Sequence, residues 1–260
     1  MEAGSVTGDR YLRRARRWPA ATAVTAALML GASCGGAGTS ETADREVVVM
    51  AASSLSDVVE AVSASHSNIT AVLAGSSTLV AQLSAGAHAD VLITADAATM
   101  DRAAADGSIR GKPVVIATNT IVLAAAPGNP GRVSGLADLA RRDLLVGLCA
   151  AEVPCGALAR QALDEADIAP SVDTLELSVR SLAAKLSLGE LDAGLVYGTD
   201  AATAGLPTVE APELNGQANS YYLASVAAEP SPAVKVVIEA FTEPGGAGAE
   251  ALSAHGFGPP

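Results

Sequence analysis

One local pattern recurs along this 260-residue chain: a short apolar strand ends, small or hydroxyl-bearing residues follow, and a helical apolar pattern begins. The pattern occurs in the segments AASSLSDVV, AGSSTLVAQL, CAAEVPCGAL and ELSVRSLAAKL. Repeated strand–helix units predict parallel strands that are covered by helices. The chain is therefore expected to fold as an α/β protein.

The spacing of apolar residues predicts the individual elements. Strands are expected at EVVVMAA, NITAVLAG, ADVLITA, TIVLAAA, LLVGLCA, AGLVYGTDA and SYYLASVAA, and a short helix is expected at GLADLARRD. Asp96 is a plausible cap for the helix that follows the third strand. TIVLAAA and YYLASV are candidates for the segments that cross between two α/β lobes.

The first 33 residues differ in composition from the rest of the chain. The basic stretch RYLRRARRW precedes the uncharged run PAATAVTAALMLGAS, a pattern typical of a secretory signal. A transmembrane anchor is the alternative, but the apolar run is short for a membrane span. LMLGASC resembles a bacterial lipobox, with Gly31 where an aliphatic residue is usual. We therefore expect a signal over residues 1–33, a lipid on Cys34 and a flexible tether over 34–45, with simple secretion as the alternative.

The charge and the cysteines narrow the possible functions. Removal of residues 1–33 leaves 11 basic and 26 acidic residues, a net charge of −15, which argues against nucleic-acid binding. In an exported protein, Cys149 and Cys155 are typical of a disulfide, with two free thiols as the alternative. The mature chain has no G-x-S-x-G elbow, P-loop or dinucleotide fingerprint, so neither an enzyme nor a cofactor is predicted.

The recurring strand–helix junctions indicate an anion site. Ligands of open α/β sheets bind beyond the carboxyl ends of the strands, where the helices begin. Unpaired N–H groups and positive dipole ends lie there and bind anions without a cationic side chain. The alternative is that each serine caps its own helix, but a cap uses one hydroxyl and here hydroxyls cluster.

Four segments, AASSLSDV, AGSSTLVAQLSAGAHADVLITAD, EVPCGALARQAL and LVYGTDA, resemble the molybdate-binding proteins of bacterial ABC uptake transporters, from about residue 46 to the end. The resemblance implies a type II periplasmic binding-protein fold with two α/β lobes around a ligand cleft. Lobe 1 would comprise residues 46–124 plus 222–260, and lobe 2 residues 125–221. A monomeric, extracytoplasmic, membrane-anchored lipoprotein would bind molybdate or tungstate intact and deliver it to a membrane permease.

The resemblance also implies a set of ligand-binding residues. Hydroxyl donors would be Ser54 and Ser76, backbone N–H donors would be Cys155 and Val179, and the phenol of Tyr197 would complete the set. The family commonly has alanine at the position of Cys155. No side chain is expected to bind the metal atom directly, and Ser77 and Thr78 would remain for helix capping and for support.

Other ligands stay open as alternatives. Sulfate or phosphate would suit the same kind of site, since cavity size is hard to judge from sequence. Tyr221 and Tyr222 resemble the adjacent tyrosines of ferric-ion-binding proteins, but neighbours on a strand point to opposite faces, so only one of them would readily reach a cleft. A sensor or structural lipoprotein with the same fold is a further alternative.

Overall fold

The computed structural model describes residues 45–260 of the chain. They belong to one compact unit, Ser40–Pro260. The expected signal over 1–33, the lipid on Cys34 and the tether up to residue 44 lie outside the described residues. Within the described range, no helix is long and apolar enough to cross a membrane.

The described residues form nine strands and eight α-helices in mostly alternating order. The strands are β1 (Val47–Ala52), β2 (Ile69–Ala74), β3 (Val91–Thr94), β4 (Val114–Ala125), β5 (Val146–Cys149), β6 (Val172–Glu176), β7 (Ala193–Tyr197), β8 (Thr208–Val209) and β9 (Ala218–Ser225). The helices are α1 (Ser56–Ser65), α2 (Ser76–Ser84), α3 (Ala97–Ala105), α4 (Pro154–Glu165), α5 (Val179–Ser187), α6 (Gly198–Thr203), α7 (Pro232–Thr242) and α8 (Ala247–Ala254). Short 3-10 turns occur at Ser53–Leu55, Leu136–Ala140 and Pro212–Leu214.

All strands join one curled sheet in the order β2-β1-β3-β9-β4-β7-β5-β6, with β8 beside β4. We call β2, β1, β3 and β9 the first half of the sheet and β7, β5 and β6 the second half. Strands β1, β2 and β3 are parallel, as are β5, β6 and β7. Strand β9 is antiparallel to β3 and β4, and β4 is antiparallel to β7. The expectation of parallel strands is right for each end of the sheet and wrong for its middle.

Strand β4 connects the two halves of the sheet. Residues 114–120 pair with β9, and residues 121–125 pair with β7. The sequence pattern predicts a strand only from Thr120 onward, but β4 begins at Val114. The polar residues Thr118, Asn119 and Thr120 interrupt the apolar pattern there, although Asn119 is buried.

Most other elements lie where the apolar spacing predicts them, with three differences. The expected helix at GLADLARRD is a 3-10 turn, Leu136–Ala140. The segment AGLVYGTDA is a strand only as far as Tyr197, because α6 begins at Gly198. The apolar pattern predicts no separate strand at β6, because two acidic residues interrupt its apolar run. Asp96 caps α3 as predicted, since its Oδ1 accepts a hydrogen bond of 2.9 Å from the Thr99 N–H.

Helices on both faces of the sheet bury its apolar side chains. Leu123 lies in the part of β4 that pairs with β7 and is fully buried, whereas Leu188 follows α5 and is largely exposed. A buried leucine contributes stability through the apolar area that it removes from water and through close packing.

We predict that Leu123→Ala lowers the free energy of unfolding by about 3 kcal/mol, because it removes buried methyl groups and leaves a cavity. Urea denaturation followed by circular dichroism measures the change. The matched substitution Leu188→Ala should change the free energy of unfolding by less than about 0.5 kcal/mol. Equal losses in the two variants would contradict this account of the core.

Candidate functional site

One small cavity brings together all five residues that the sequence singled out for ligand binding: Ser54, Ser76, Cys155, Val179 and Tyr197. Its volume is about 10 Å³, roughly the space that one water molecule needs. The remaining lining residues are small or apolar apart from one serine: Ala52, Ser53, Gly75, Ala95, Val153 and Pro154. Elements from both halves of the sheet therefore contribute to one site.

Each of the five residues lies at the start of a helix. Ser54 is in the 3-10 turn that leads into α1, and Ser76 is the first residue of α2. Cys155 and Val179 lie in the first turns of α4 and α5, and Tyr197 directly precedes α6. The N–H groups of a first helical turn have no partner within the helix, and the helix dipole is positive there. The cavity thus collects backbone donors and positive dipole ends.

None of the lining residues carries a charge. The nearest cationic residue in sequence, Arg180, follows Val179 but is engaged by two carboxylates. Its Nη2 lies 2.6 Å from Asp57 Oδ2, and its Nε lies 2.8 Å from Asp200 Oδ1. The guanidinium charge is therefore compensated beside the cavity, and neutral groups provide the contacts inside it.

Existing hydrogen bonds occupy the oxygens of the cavity hydroxyls. Ser76 Oγ accepts a hydrogen bond of 3.0 Å from the Ala95 N–H. Tyr197 Oη accepts one of 2.8 Å from Asn219 Nδ2. Ser54 Oγ lies 2.8 Å from Tyr221 Oη. A hydroxyl oxygen that already accepts a bond still has its own proton to donate, so Ser76 and Tyr197 are suited to donate to an anion.

Both tyrosines are fully buried beside the cavity. Burial raises the pKa of Tyr197 well above its ordinary value, and the neighbouring Tyr221 raises it further. Burial likewise raises the pKa of Tyr221, with the Asp200 charge adding to the effect. The phenols consequently remain protonated and act as hydrogen-bond donors, not as phenolate ligands for a cation.

The expectation that Ser77 and Thr78 cap α2 is wrong. The residue at the cap position is Gly75, and no side chain makes a capping hydrogen bond to α2. The Ser77 hydroxyl instead donates to the carbonyl of Glu152, in the loop before α4, and accepts a bond of 3.1 Å from Arg102. The Ser77 hydroxyl therefore connects α2, which follows the first half of the sheet, to the loop before α4, which follows the second half.

Gly75 lies at a close contact between the same two halves. A Cβ atom at this position would lie 2.1 Å from the carbonyl oxygen of Leu177, which is far inside van der Waals contact. The absence of a side chain at Gly75 allows the segment before α5 to approach the segment before α2. This approach brings Ser76 and Val179 to the same cavity.

A disulfide joins Cys149 at the end of β5 to Cys155 in the first turn of α4, with the Cα atoms 5.9 Å apart. It closes the loop that contributes Val153 and Pro154 to the cavity wall. The bond thus constrains the segment that presents the Cys155 backbone N–H.

The cavity region supports a site for a metal cation less well than a site for an anion. Across residues 45–260 there is no group of three or more His, Cys, Asp or Glu residues arranged to hold a metal ion. Of the adjacent tyrosines, Tyr221 reaches Ser54 at the cavity, whereas Tyr222 belongs to a different part of the core. Oxygen-rich ferric sites prefer carboxylate or histidine partners, and the cavity lining contains neither.

The fold and the site together define an α/β binding protein of the periplasmic type. A sequence profile described as bacterial extracellular solute-binding protein matches residues 47–257, and the chain belongs to this family. It is 37% identical over 224 residues to the molybdate-binding protein ModA of Mycobacterium tuberculosis. The alignment covers 83% of this chain and 85% of that protein.

Two solved structures illustrate the shared fold. The periplasmic molybdate-binding protein of Azotobacter vinelandii aligns with a TM-score of 0.69 at 16% identity, covering 83% of this chain and 100% of that one. The sulfate-binding protein SubI of Mycobacterium tuberculosis aligns with a TM-score of 0.63 at 17% identity, covering 83% of this chain and 87% of that one. At these identities the structures establish the fold and not the ligand.

Asp200, which sequence reasoning did not single out, is a buried acid near the site. Burial raises its pKa to about 7, although the charge of Arg180 opposes the rise, and the charge of Asp57 adds to it. Burial also acts to raise the pKa of Asp57, but hydrogen bonds from Arg180 and Thr203 outweigh it and lower that pKa. The two carboxylates around one guanidinium therefore titrate in different pH ranges.

We predict that Asp200 makes the stability of the protein depend on pH. Because its pKa is higher in the folded state than the value of 3.8 expected when unfolded, the folded protein binds the extra proton between about pH 4 and pH 7. The stability gained from this proton is complete below that range and is lost as the pH rises through about 7. Asp200→Asn removes this dependence.

Urea denaturation at pH 5, 6.5 and 8 tests this prediction. The free energy of unfolding of the native chain, relative to Asp200→Asn, should fall by about 2 kcal/mol from pH 5 to pH 8. Asp101→Asn, which alters an exposed carboxylate on α3, should leave the pH profile of the native chain unchanged. Parallel profiles for the native chain and Asp200→Asn would show that Asp200 does not titrate in this range.

Proposed function

We propose that this protein binds molybdate, and also tungstate, as an intact tetrahedral oxyanion outside the cell membrane and delivers it to the permease of an ABC transporter. The observation that carries the proposal is the small cavity in which uncharged donors from several helix starts converge. The 37% identity to a molybdate-binding protein over 83% of the chain supports the choice of anion.

The donor set suits a small dianion. A hydrogen bond to a charged acceptor contributes roughly 1.5–3 kcal/mol, and neutral donors stabilise an anion best when they are fixed and shielded from water. Several such bonds, after the costs of ordering and desolvation, are sufficient for micromolar affinity or better. The net charge of −15 on the mature chain opposes the approach of an anion, so the affinity must come from these short-range contacts.

The size of the cavity favours an inorganic ligand. Pockets for organic ligands commonly have volumes of about 300–1,000 Å³, whereas this cavity has about 10 Å³. A phosphorylated sugar is far larger than this space, and a tetrahedral oxyanion requires a much smaller separation of the cavity walls. Sulfate remains the second candidate because it has the same shape and charge as molybdate, and the fold is shared with a sulfate-binding protein.

In this proposal the protein carries its ligand without chemical change. It acts as a monomer, needs no cofactor and is not an enzyme. Lipidation of Cys34 would hold it at the outer face of the membrane, and the segment over residues 34–45 would tether the binding domain there. Its partners are the oxyanion and the permease.

We predict that Ser76→Ala weakens molybdate binding about tenfold or more, because it removes a hydroxyl that is aligned by the Ala95 N–H. Isothermal titration calorimetry on residues 40–260 measures the affinity for molybdate, tungstate, sulfate, phosphate and ferric citrate. The only tryptophan, Trp18, lies outside this range, so a ligand-induced shift in melting temperature is the supporting measurement.

Ser187→Ala serves as the matched control. Ser187 is exposed on α5, and its hydroxyl bonds to a carbonyl of its own helix, so its loss should not change molybdate affinity. Unchanged affinity in both Ser76→Ala and Ser54→Ala would remove the assignment of this cavity. Tighter binding of sulfate or ferric citrate than of molybdate would refute the proposed ligand.

The disulfide yields a separate prediction. We expect reduction of the Cys149–Cys155 bond to weaken molybdate binding, by about tenfold at most, because the loop that presents the Cys155 N–H becomes less ordered before binding. Calorimetry with and without a reductant measures the effect, and the variant with both cysteines changed to serine tests it independently. Clearly tighter binding after reduction would contradict this prediction.

A further inference from the structure

Two asparagines lie directly opposite each other behind the cavity. Asn119 on β4 and Asn219 on β9 are cross-strand partners in the antiparallel pair. Each directs its side-chain amide to a tyrosine hydroxyl: Asn219 Nδ2 lies 2.8 Å from Tyr197 Oη, and Asn119 Nδ2 lies 3.4 Å from Tyr221 Oη. We refer to Asn119 and Asn219 as the asparagine pair.

The orientation of the Asn219 amide is fixed by a second contact. Its Nδ2 also donates to the carbonyl oxygen of Pro154 over 3.2 Å, and a carbonyl can only accept. The NH₂ group, and not the amide oxygen, therefore faces Tyr197. Tyr197 Oη must accept from Asn219, which leaves its own proton for a ligand in the cavity.

Asn119 is connected to Ser54 through the hydroxyl of Tyr221. Asn119 Nδ2 donates to Thr199 Oγ1 over 2.8 Å and to Tyr221 Oη. Tyr221 Oη and Ser54 Oγ lie 2.8 Å apart, and either hydroxyl is able to donate to the other. When Asn119 donates to Tyr221, the phenol proton goes to Ser54 Oγ, and the Ser54 proton is left for the cavity. The Tyr221 ring is held by edge-to-face packing on Phe257, with the ring centroids 5.3 Å apart.

We propose that the asparagine pair and Tyr221 are positioning residues that determine the specificity of the site, an inference that rests on the proposed function. Each of the two hydroxyl oxygens, on Ser54 and on Tyr197, then accepts one hydrogen bond from behind the cavity, which directs its own proton toward the ligand. The Ala95 N–H does the same for Ser76. The hydroxyls of Ser54, Ser76 and Tyr197 consequently offer their protons to the cavity, and the site selects an oxyanion that carries none.

Hydrogen phosphate is the anion that such a site excludes. Near neutral pH inorganic phosphate always carries at least one proton, and that proton needs an acceptor. In a cavity whose hydroxyls direct their protons inward, the ligand O–H competes with them for acceptors, which costs binding free energy. Molybdate and sulfate carry no proton under these conditions and avoid this cost.

Asn219→Asp tests the proposal with a side chain of nearly the same shape. The introduced carboxylate accepts the phenol proton of Tyr197, so the phenol oxygen turns a lone pair to the ligand. At about pH 8 molybdate and phosphate are both dianions, so the added negative charge affects both affinities alike and cancels from their ratio. We expect the preference for molybdate over inorganic phosphate to fall about 100-fold in calorimetric titrations.

Asn215→Asp is the matched control, because it adds the same charge at an exposed position in the loop before β9. It should leave the preference unchanged. Tyr221→Phe is the second test and remains informative if Asn219→Asp fails to fold. It releases the Ser54 hydroxyl from its donor, and the preference for molybdate should fall about tenfold. Melting temperatures establish that each variant is folded.

The outcomes separate this inference from the proposed function. If the native chain does not bind molybdate, the proposed function fails. If the native chain binds molybdate but the preference is unchanged in folded Asn219→Asp, or in folded Tyr221→Phe when the first variant does not fold, the positioning role is wrong. Loss of binding to both anions in a folded Asn219→Asp protein is the effect of the added charge, and the preference measured in Tyr221→Phe, which adds no charge, then decides.

Discussion

The structure depends on the convergence of uncharged hydrogen-bond donors at one point between the two halves of the sheet. Parallel strands in each half deliver their helices with the N-terminal ends toward this point, so backbone N–H groups and dipoles face the cavity without any cation. The side-chain hydroxyls add direction to this set. An anion held in this way is recognised by its size and by the positions of its oxygens, not merely by its charge.

The arginine that follows Val179 shows why charge is kept out of the cavity. Arg180 follows a cavity residue directly, yet Asp57 and Asp200 hold its guanidinium. An uncompensated guanidinium would attract any small anion, protonated phosphate included, because its charge requires no particular arrangement of ligand protons. Because the two carboxylates compensate the guanidinium charge, the anion is selected by neutral donors, whose directions are fixed by their own hydrogen-bond partners.

The sequence alone predicts the strand–helix junctions that form the cavity, but it does not predict the hydrogen bonds that the asparagine pair makes behind the cavity. Ser54, Ser76 and Cys155 follow strands and begin helices, so local spacing predicts these junctions, and the resemblance to molybdate-binding proteins selects the individual residues. The asparagine pair could not be found in this way, because its members are 100 residues apart in sequence and meet only through the register of β4 and β9. Asn119 even conceals the start of β4, since a buried amide breaks the apolar pattern that identifies a strand.

Contacts across the cavity explain how the donors are kept from water. The Ser77 hydroxyl bonds to Glu152, Gly75 allows the close approach of Leu177, and Asp57 meets Arg180. All three contacts join elements of the first half of the sheet to elements of the second. These contacts cover the donors between the two halves, and their separation would expose the donors to water. Specificity and closure therefore depend on the same geometry, since a hydroxyl exposed to water would find an acceptor there and lose its fixed direction.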